Sequence, residues 1–338
     1  MGEEPAVRSG TWSSTAWVMA KWTLLAAFLA LIVTLFSAPR GGLLVLWYVA
    51  VPLLPALFLI NAEIWRNVCP LATLNTLVRD EDGRPLGPRA SRIAAVVGVA
   101  VLLVAIPLRV ALLNESGFAT GVLLAAMGIF ALVSGIPFQR KAGFCNSVCP
   151  VLPVERLYGQ APLLGVRNVR CTPCQACTRA ACYDLNPGRS ALQIMGAGAA
   201  ERHWTLLPFG VFALAFPGVI VGYSLATLGG AGVGAVAVGG GLSWLVLTSV
   251  FVLRRVTPAS GLLAAAVLSA ATFYWFTPAA VSEGLGLPGA ATALMRGVAL
   301  GLVGFWAIRA ARSERARRRV VTLTRSASRV RSSEPTDA

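Results

Sequence analysis

Eight long apolar runs dominate the sequence, and short polar segments separate them. The runs lie roughly at residues 14–36, 42–62, 92–113, 118–136, 204–228, 233–253, 258–277 and 288–309. Each run is long enough to cross about 30 Å of hydrocarbon as a helix, and a helix satisfies all of its own backbone hydrogen bonds there. The first run is too long for the core of a signal peptide, so we expect it to be retained. The pattern therefore predicts an all-α, polytopic membrane protein with about eight transmembrane helices.

Composition supports a membrane protein and argues against one that binds nucleic acid. Of the 338 residues, 56% are hydrophobic and 13% are charged, whereas about 25% are charged in ordinary soluble domains. The net charge is +15, but the arginines and lysines lie between and after the apolar runs instead of forming one basic domain. We therefore expect contact with membrane lipid and no contact with nucleic acid.

Basic residues fall in alternate loops, which predicts the orientation. Most of them lie at 63–92, at 137–203, after the sixth run and beyond 309. Under the positive-inside rule these segments and both termini are cytoplasmic, where a reducing environment keeps thiols free for metal. The predicted organisation is a cytoplasmic tail at 1–13, two transmembrane hairpins at 14–136 with a loop at 63–91, a cytoplasmic loop at 137–203, four transmembrane helices at 204–309 and a basic cytoplasmic tail at 310–338.

The first four runs look like a duplicated two-helix unit. Residues 67–70 read Asn-Val-Cys-Pro after the second run, and residues 147–150 read Ser-Val-Cys-Pro after the fourth, 80 positions later. A repeat of this kind predicts pseudo-two-fold symmetry. We therefore expect the two Cys-Pro turns, Cys69-Pro70 and Cys149-Pro150, to face each other.

Three cysteines accompany these turns. Cys145 and Cys149 are four residues apart, which places them on one face of the helix that leaves the membrane, and Pro150 ends that helix. Position 65, the equivalent of Cys145, is Trp65, so the first unit keeps only Cys69. The three thiols either form a second, incomplete metal or redox site or are small buried side chains that pack where helices meet.

The most specific chemical signal is a group of four cysteines in the second loop. Cys171, Cys174 and Cys177 follow a spacing of three, and Cys182 comes five positions later. This spacing is typical of a loop that wraps one face of an iron–sulfur cube; zinc-binding loops usually use two separated Cys-x-x-Cys pairs. Seven cysteines are one short of two all-cysteine cubes. Either one complete [4Fe–4S] cluster on this loop accompanies the incomplete site, or two clusters divide the ligands differently, and the local spacing favours the first.

Three other features exclude or limit further chemistry. His203 is the sole histidine, so no bis-histidine haem is expected, and it either anchors a span at the interface or contacts a quinone headgroup. The glycine-rich stretch at 229–241 lacks the strand and acidic residue of a dinucleotide site, so its small residues favour close helix packing. We expect Arg109, near the outer end of a span, to extend toward the interface.

Residues 144–150 and 65–70, with the Cys171–Cys182 loop downstream, resemble the membrane-bound [4Fe–4S] polyferredoxins of the NosR and NapH type. The resemblance covers roughly residues 40–190, with the first cysteine of one turn replaced by Trp65 and one ferredoxin loop present. It implies a protein of the bacterial cytoplasmic membrane that passes electrons between a membrane donor, such as the quinone pool, and a partner redox enzyme. Related proteins assist the maturation of a metalloenzyme.

The resulting functional hypothesis is an electron-transfer subunit and not a stand-alone enzyme, because no catalytic residues are evident. Cys171, Cys174, Cys177 and Cys182 are its expected cluster ligands. Two alternatives stay open from the sequence: an assembly or maturation factor for a metalloenzyme, and a membrane scaffold or transporter with a structural metal loop.

Overall fold

The computed structural model describes residues 14–78, 84, 86–138, 141–164, 191–192, 195 and 203–332. Helix makes up 82% of the structure, and within the described part there is no β-strand, only an isolated bridge between Arg84 and Phe138. Eight of the described helices are long and apolar enough to cross a membrane. The predicted all-α architecture with eight such helices is confirmed, whereas the predicted iron–sulfur loop lies outside the described residues.

The front half of the molecule, residues 14–164, contributes four candidate spans. Its elements in chain order are α1 (Ser14–Ser37), α2 (Pro39–Leu44), a π-helix (Val45–Ala50), α3 (Val51–Val68), the short α4 (Pro70–Asn75), α5 (Pro88–Leu108), a second π-helix (Arg109–Leu113), α6 (Gly117–Ser134) and the short α7 (Leu152–Tyr158). The spans are Thr15–Ser37, Pro39–Val68, Arg89–Leu113 and Gly117–Ser134.

The back half, residues 203–332, contributes the other four. It begins with a 3₁₀ turn (Trp204–Leu206) and continues with α8 (Pro208–Leu228), α9 (Gly234–Leu253), α10 (Pro258–Leu285) and α11 (Gly289–Ser332). Proline occupies the first turn of several helices in both halves, where its missing N–H costs no hydrogen bond. Helix α11 continues without a break past position 310, where the sequence predicted the tail to begin.

Glycine allows α8 and α9 to pack closely. A Cβ atom on Gly218 would lie 2.0 Å from the carbonyl oxygen of Gly239, and one on Gly222 would lie 2.1 Å from that of Ala235. Only glycine permits backbones to approach this closely, as at small-residue contacts between membrane helices. The expected role of the glycine-rich stretch in helix packing is confirmed at Gly239.

The two halves share one hydrophobic core, and several specific side chains also connect them. The Tyr274 hydroxyl donates to the carbonyl of Pro52 at 3.1 Å, and the Trp306 indole donates to that of Ala161 at 2.9 Å. The Arg109 guanidinium lies 4.0 Å from the ring centroid of Trp47 and 4.8 Å from that of Tyr223. The two aromatic rings attract the cation between the halves, and the guanidinium also donates to the Asn114 side chain at 2.9 Å, at the end of its span. The extension of Arg109 toward the interface stays a prediction.

Candidate functional site

The sequence predicted two cysteine sites, and the structure describes one of them. Cys171, Cys174, Cys177 and Cys182 lie outside the described residues. Cys69, Cys145 and Cys149, here called the three-thiol site, are described, and all three are free and buried. His203 is exposed at the start of the 3₁₀ turn and does not line the cavity described below.

Cys69 lies between two helices and is fixed by both. Its N–H donates to the carbonyl of Trp65 at 2.7 Å, which closes α3, and its own carbonyl accepts from the N–H of Thr73 at 2.9 Å, which opens α4. The backbone of Cys69 is extended (φ −54°, ψ 127°), as expected for a residue before proline. The turn therefore holds the thiol in one place at the end of a membrane helix.

The segment that carries Cys145 and Cys149 is not the regular helix that the sequence predicted. Helix α6 ends at Ser134, and residues 141–148 form successive turns. The N–H of Asn146 donates to Lys141 at 2.8 Å and that of Cys149 to Phe144 at 3.1 Å, which is the wide i→i−5 spacing of a π-turn. The prediction that Cys145 and Cys149 share one face of a helix was wrong, because the chain turns back onto the end of α6. Gly143 packs closely there: a Cβ atom on it would lie 2.1 Å from the carbonyl oxygen of Ser134.

The three thiols nevertheless line one cavity of about 340 Å³. Apolar side chains of α1, the first π-helix, α3, α4 and α6 form most of its wall, and Arg66, Lys141 and Glu155 line it together with the cysteines. The cysteines are 5–9% exposed. Because Cys69 and Cys149 both line this cavity, the predicted meeting of the two Cys-Pro turns is confirmed.

Contacts between the two repeat units also agree with the 80-residue repeat. Arg66 and Asn146 are equivalent positions, and the Arg66 guanidinium donates to the Asn146 side-chain oxygen. Helix α4 of the first unit packs on α6 of the second, and α7 of the second packs on α3 of the first. This exchange of short helices and the contact between equivalent residues both support the predicted two-fold relation.

Every buried charged side chain in the described part of the chain lies on the segments that carry these cysteines. They are Glu63, Arg66, Lys141, Glu155 and Arg156. Arg66 and Glu155 form an ion pair of 2.8 Å whose side chains are each 3% exposed, and the Lys141 ammonium donates to the Arg66 carbonyl at 3.1 Å. Buried charge is costly to keep, and its concentration here makes this region the candidate functional site.

Sequence reasoning missed these charges, because Arg66, Lys141 and Arg156 were counted as ordinary cytoplasmic-loop cations. A signal was present in the sequence. Arg66 precedes Cys69 by three residues, and Lys141 precedes Cys145 by four, so each basic residue lies about one helical turn before a cysteine.

Burial sets the protonation of the thiols. Burial, together with a smaller contribution from the nearby Glu155 carboxylate, raises the pKa of Cys69 to about 11 and that of Cys149 to about 12. Burial also raises the pKa of Cys145 well above its ordinary value, with a further contribution from the other two cysteines. A thiol with a raised pKa is protonated at neutral pH, so metal binding there must release protons.

The donor set suits a cluster better than a single ion. Within the described residues, no three His, Cys, Asp or Glu side chains are grouped to hold one metal ion. A tetrahedral ion with metal–sulfur bonds of about 2.3 Å requires sulfurs within about 3.8 Å of each other. Thiolates on a multi-iron cluster bind different irons and lie farther apart, and soft thiolates are the ligands that such clusters use. By donor type alone the three cysteines suit an iron–sulfur group, of which they would be three ligands.

The fold and this site define a multi-pass helical membrane protein with a thiol-lined, charge-bearing cavity at the ends of its helices. No protein-family model, curated protein or solved structure matches the chain.

Proposed function

We propose that this chain is an electron-transfer protein of the bacterial cytoplasmic membrane, with iron–sulfur centres on the cytoplasmic side. The observation that carries the proposal is the meeting of Cys69, Cys145 and Cys149 around one cavity, which three of the five buried charged side chains in the described residues also line. Paired thiols and paired buried charges are not needed for helix packing. They suit a redox centre held in a low-dielectric site.

Two centres are assigned to the cysteines. Cys171, Cys174, Cys177 and Cys182 bind a [4Fe–4S] cluster, on the strength of their spacing. Cys69, Cys145 and Cys149 bind the second centre. An iron–sulfur group, when bound, accepts and donates single electrons.

The charges around the three-thiol site favour an anionic occupant. The five buried charged side chains are three cations and two anions, a formal excess of one positive charge. Thiolates and the clusters they bind are anionic, so Arg66 and Lys141 would stabilise them. Burial raises the pKa of Cys145 well above its ordinary value, and both cations act against that rise. The same cations would raise the reduction potential of the centre.

The cavity also supports a lipid-soluble electron donor such as quinol. It runs from the thiols to apolar side chains of the membrane helices, including Leu24 and Phe28 of α1 and Leu124 of α6. An extended apolar molecule can therefore bind among the helices with its polar head near the charged end. The electron acceptor would be a partner redox enzyme at the cytoplasmic face.

Iron and acid-labile sulfide counts on anaerobically purified protein test this proposal. We expect about seven or eight irons per chain in the wild type, and about four after either Cys145→Ser or Cys174→Ser. Ser147→Ala is the matched control, because Ser147 is a buried residue near Cys145 that is not one of the proposed ligands. This variant should keep the wild-type iron count. Zinc without iron in the wild type would contradict the proposal.

A second measurement tests the relay itself. Reduction of the centres by a quinol analogue, followed by absorbance and electron paramagnetic resonance (EPR), should be rapid in the wild type. Clusters that form but accept no electrons from any quinol would contradict the assignment of the membrane donor.

A further inference from the structure

One corner of the three-thiol site is occupied by a different kind of residue. The 80-residue repeat relates position 65 to 145 and position 69 to 149, and all four residues line the same cavity. Three of them are cysteines, and the fourth is Trp65. The structure thus brings together a four-position arrangement in which one thiol has been replaced by an indole.

Trp65 cannot replace the missing ligand. An indole N–H donates hydrogen bonds and offers no lone pair for metal. The side chain is half-buried and packs against the hydrophobic core, so it fills space at this corner. The position equivalent to Cys145 therefore supplies no thiolate.

Few of the other described residues around the cavity could supply a fourth ligand in place of a thiolate. Lys141 and Arg66 carry only donors, and Glu155 is held by Arg66 in the 2.8 Å ion pair. The thioether of Met127 also lines the cavity, but Met127 lies seven residues before the end of α6, about 10 Å along the helix axis. It belongs to the apolar wall.

We propose that the three-thiol site holds a [4Fe–4S] cluster in which one iron has no protein thiolate and is open to a small external ligand from the cavity. The inference rests on the proposed function, because it requires a cluster on Cys69, Cys145 and Cys149. It adds a binding activity to that function. The class of ligand is a small, soft or anionic donor, such as a thiolate or cyanide, which the positive charge of Arg66 and Lys141 attracts.

The first test is oxidative loss of the open iron. Ferricyanide takes one electron from a [4Fe–4S]²⁺ cluster; the resulting [4Fe–4S]³⁺ cluster releases the unprotected iron as Fe²⁺ and leaves [3Fe–4S]⁺. We expect the EPR signal of a three-iron cluster in the wild type. Trp65→Cys supplies a fourth thiolate and should abolish that signal, whereas the matched control Trp65→Ser, which opens the same space without a thiol, should keep it.

The second test needs no variant at position 65. Cyanide added to the reduced wild-type protein should shift the EPR signal of the cluster that depends on Cys145, as identified by its loss in Cys145→Ser. Met127→Leu should leave that shift unchanged. A shift that appears only after Met127→Leu would show that the thioether is the fourth ligand and would overturn the inference.

The failures of the two proposals are distinguishable. If the iron that depends on Cys145 is present but neither ferricyanide nor cyanide affects it, the fourth corner has a protein ligand and the open-iron inference is wrong, while the electron-transfer proposal stands. If Cys145→Ser changes no iron at all, the second centre does not exist, and the cluster assigned to Cys171–Cys182 is still counted by Cys174→Ser.

Discussion

The front and back halves of this molecule solve the problem of packing helices in different ways. The front half buries five charged side chains around its cysteines, whereas no charged residue of the back half that the structure describes is buried. The back half packs through glycine, alanine and aromatic side chains, with α8 at its centre. Close apolar packing is sufficient to assemble membrane helices. The buried charges of the front half are therefore not required by helix packing as such, which is why we propose a functional role for them.

The largest loss of stability is expected when one partner of the ion pair in the front half is removed. Either Arg66→Met or Glu155→Leu alone should lower the free energy of unfolding by about 3–5 kcal/mol, because each leaves one buried charge without its partner. The double variant should regain most of that loss. Unfolding of the detergent-solubilised protein by sodium dodecyl sulfate would measure all three.

Arg254→Met is the control for the first prediction, since Arg254 is exposed at the end of α9. It should change stability by less than about 0.5 kcal/mol. A double variant as unstable as the sum of the two single variants would contradict the assignment of the ion pair as the coupled unit.

The back half should be most sensitive where α8 meets α9. Gly218→Ala places a Cβ against the Gly239 oxygen and should cost about 1–3 kcal/mol of stability. Gly241→Ala, on α9 with nothing within 4 Å of the added atom, should be neutral or stabilise by up to about 1 kcal/mol because alanine is the better helix former. The midpoints of thermal unfolding would rank the two variants, and equal effects at both positions would contradict close helix contact.

A smaller effect is expected where the halves meet at Arg109. Arg109→Gln removes the cation from between Trp47 and Tyr223 and should cost about 0.5–2 kcal/mol. A double-mutant cycle with Tyr223→Leu measures the part of this energy that comes from the contact between halves. Strict additivity of the two changes would show that the cation–π contact contributes nothing.

Substitution of His203 should have the smallest effect on stability. Its side chain is exposed, so His203→Ala should change stability by less than about 0.5 kcal/mol and leave the iron content unchanged. The neighbouring Trp204→Leu should be far more damaging, because Trp204 is buried and its indole donates to the Val256 carbonyl at 3.2 Å. Loss of quinol reduction in His203→Ala would instead assign the histidine to a quinone site.

The spans could be predicted from sequence because they depend on a one-dimensional property. A run of about 20 apolar residues must cross the hydrocarbon as a helix whatever its neighbours are. The predicted and observed spans accordingly agree in number and closely in position. The meeting of the Cys-Pro turns was also predictable, since a repeat carries its symmetry into the fold.

The local geometry of the site could not be predicted, because distant contacts determine it. Asn61 breaks α3 with φ −170° and ψ 115°; its side chain accepts from the N–H of Glu63 at 2.7 Å and donates to the carbonyl of Leu164 at 2.8 Å, 103 residues away. Position 61 is the repeat equivalent of Lys141, which lies in the turns of the second unit. The end of α6 at Ser134 has a sequence signal, because Gly135 and Pro137 follow it. The break at Asn61 has no proline or glycine beside it, so only the folded chain reveals it.

The hydrogen bond between Arg66 and Asn146 has a consequence for how this site arose. In a symmetric pair of identical hairpins, a side chain on the two-fold axis would meet its own copy, and two arginines there would repel each other. In a single chain the two copies of the hairpin are separate parts of the sequence. One copy can therefore carry the arginine, and the other can carry the asparagine that accepts its hydrogen bond. The same freedom allows tryptophan at 65 opposite cysteine at 145. A single chain can therefore carry an asymmetric set of side chains at a place of approximate two-fold symmetry.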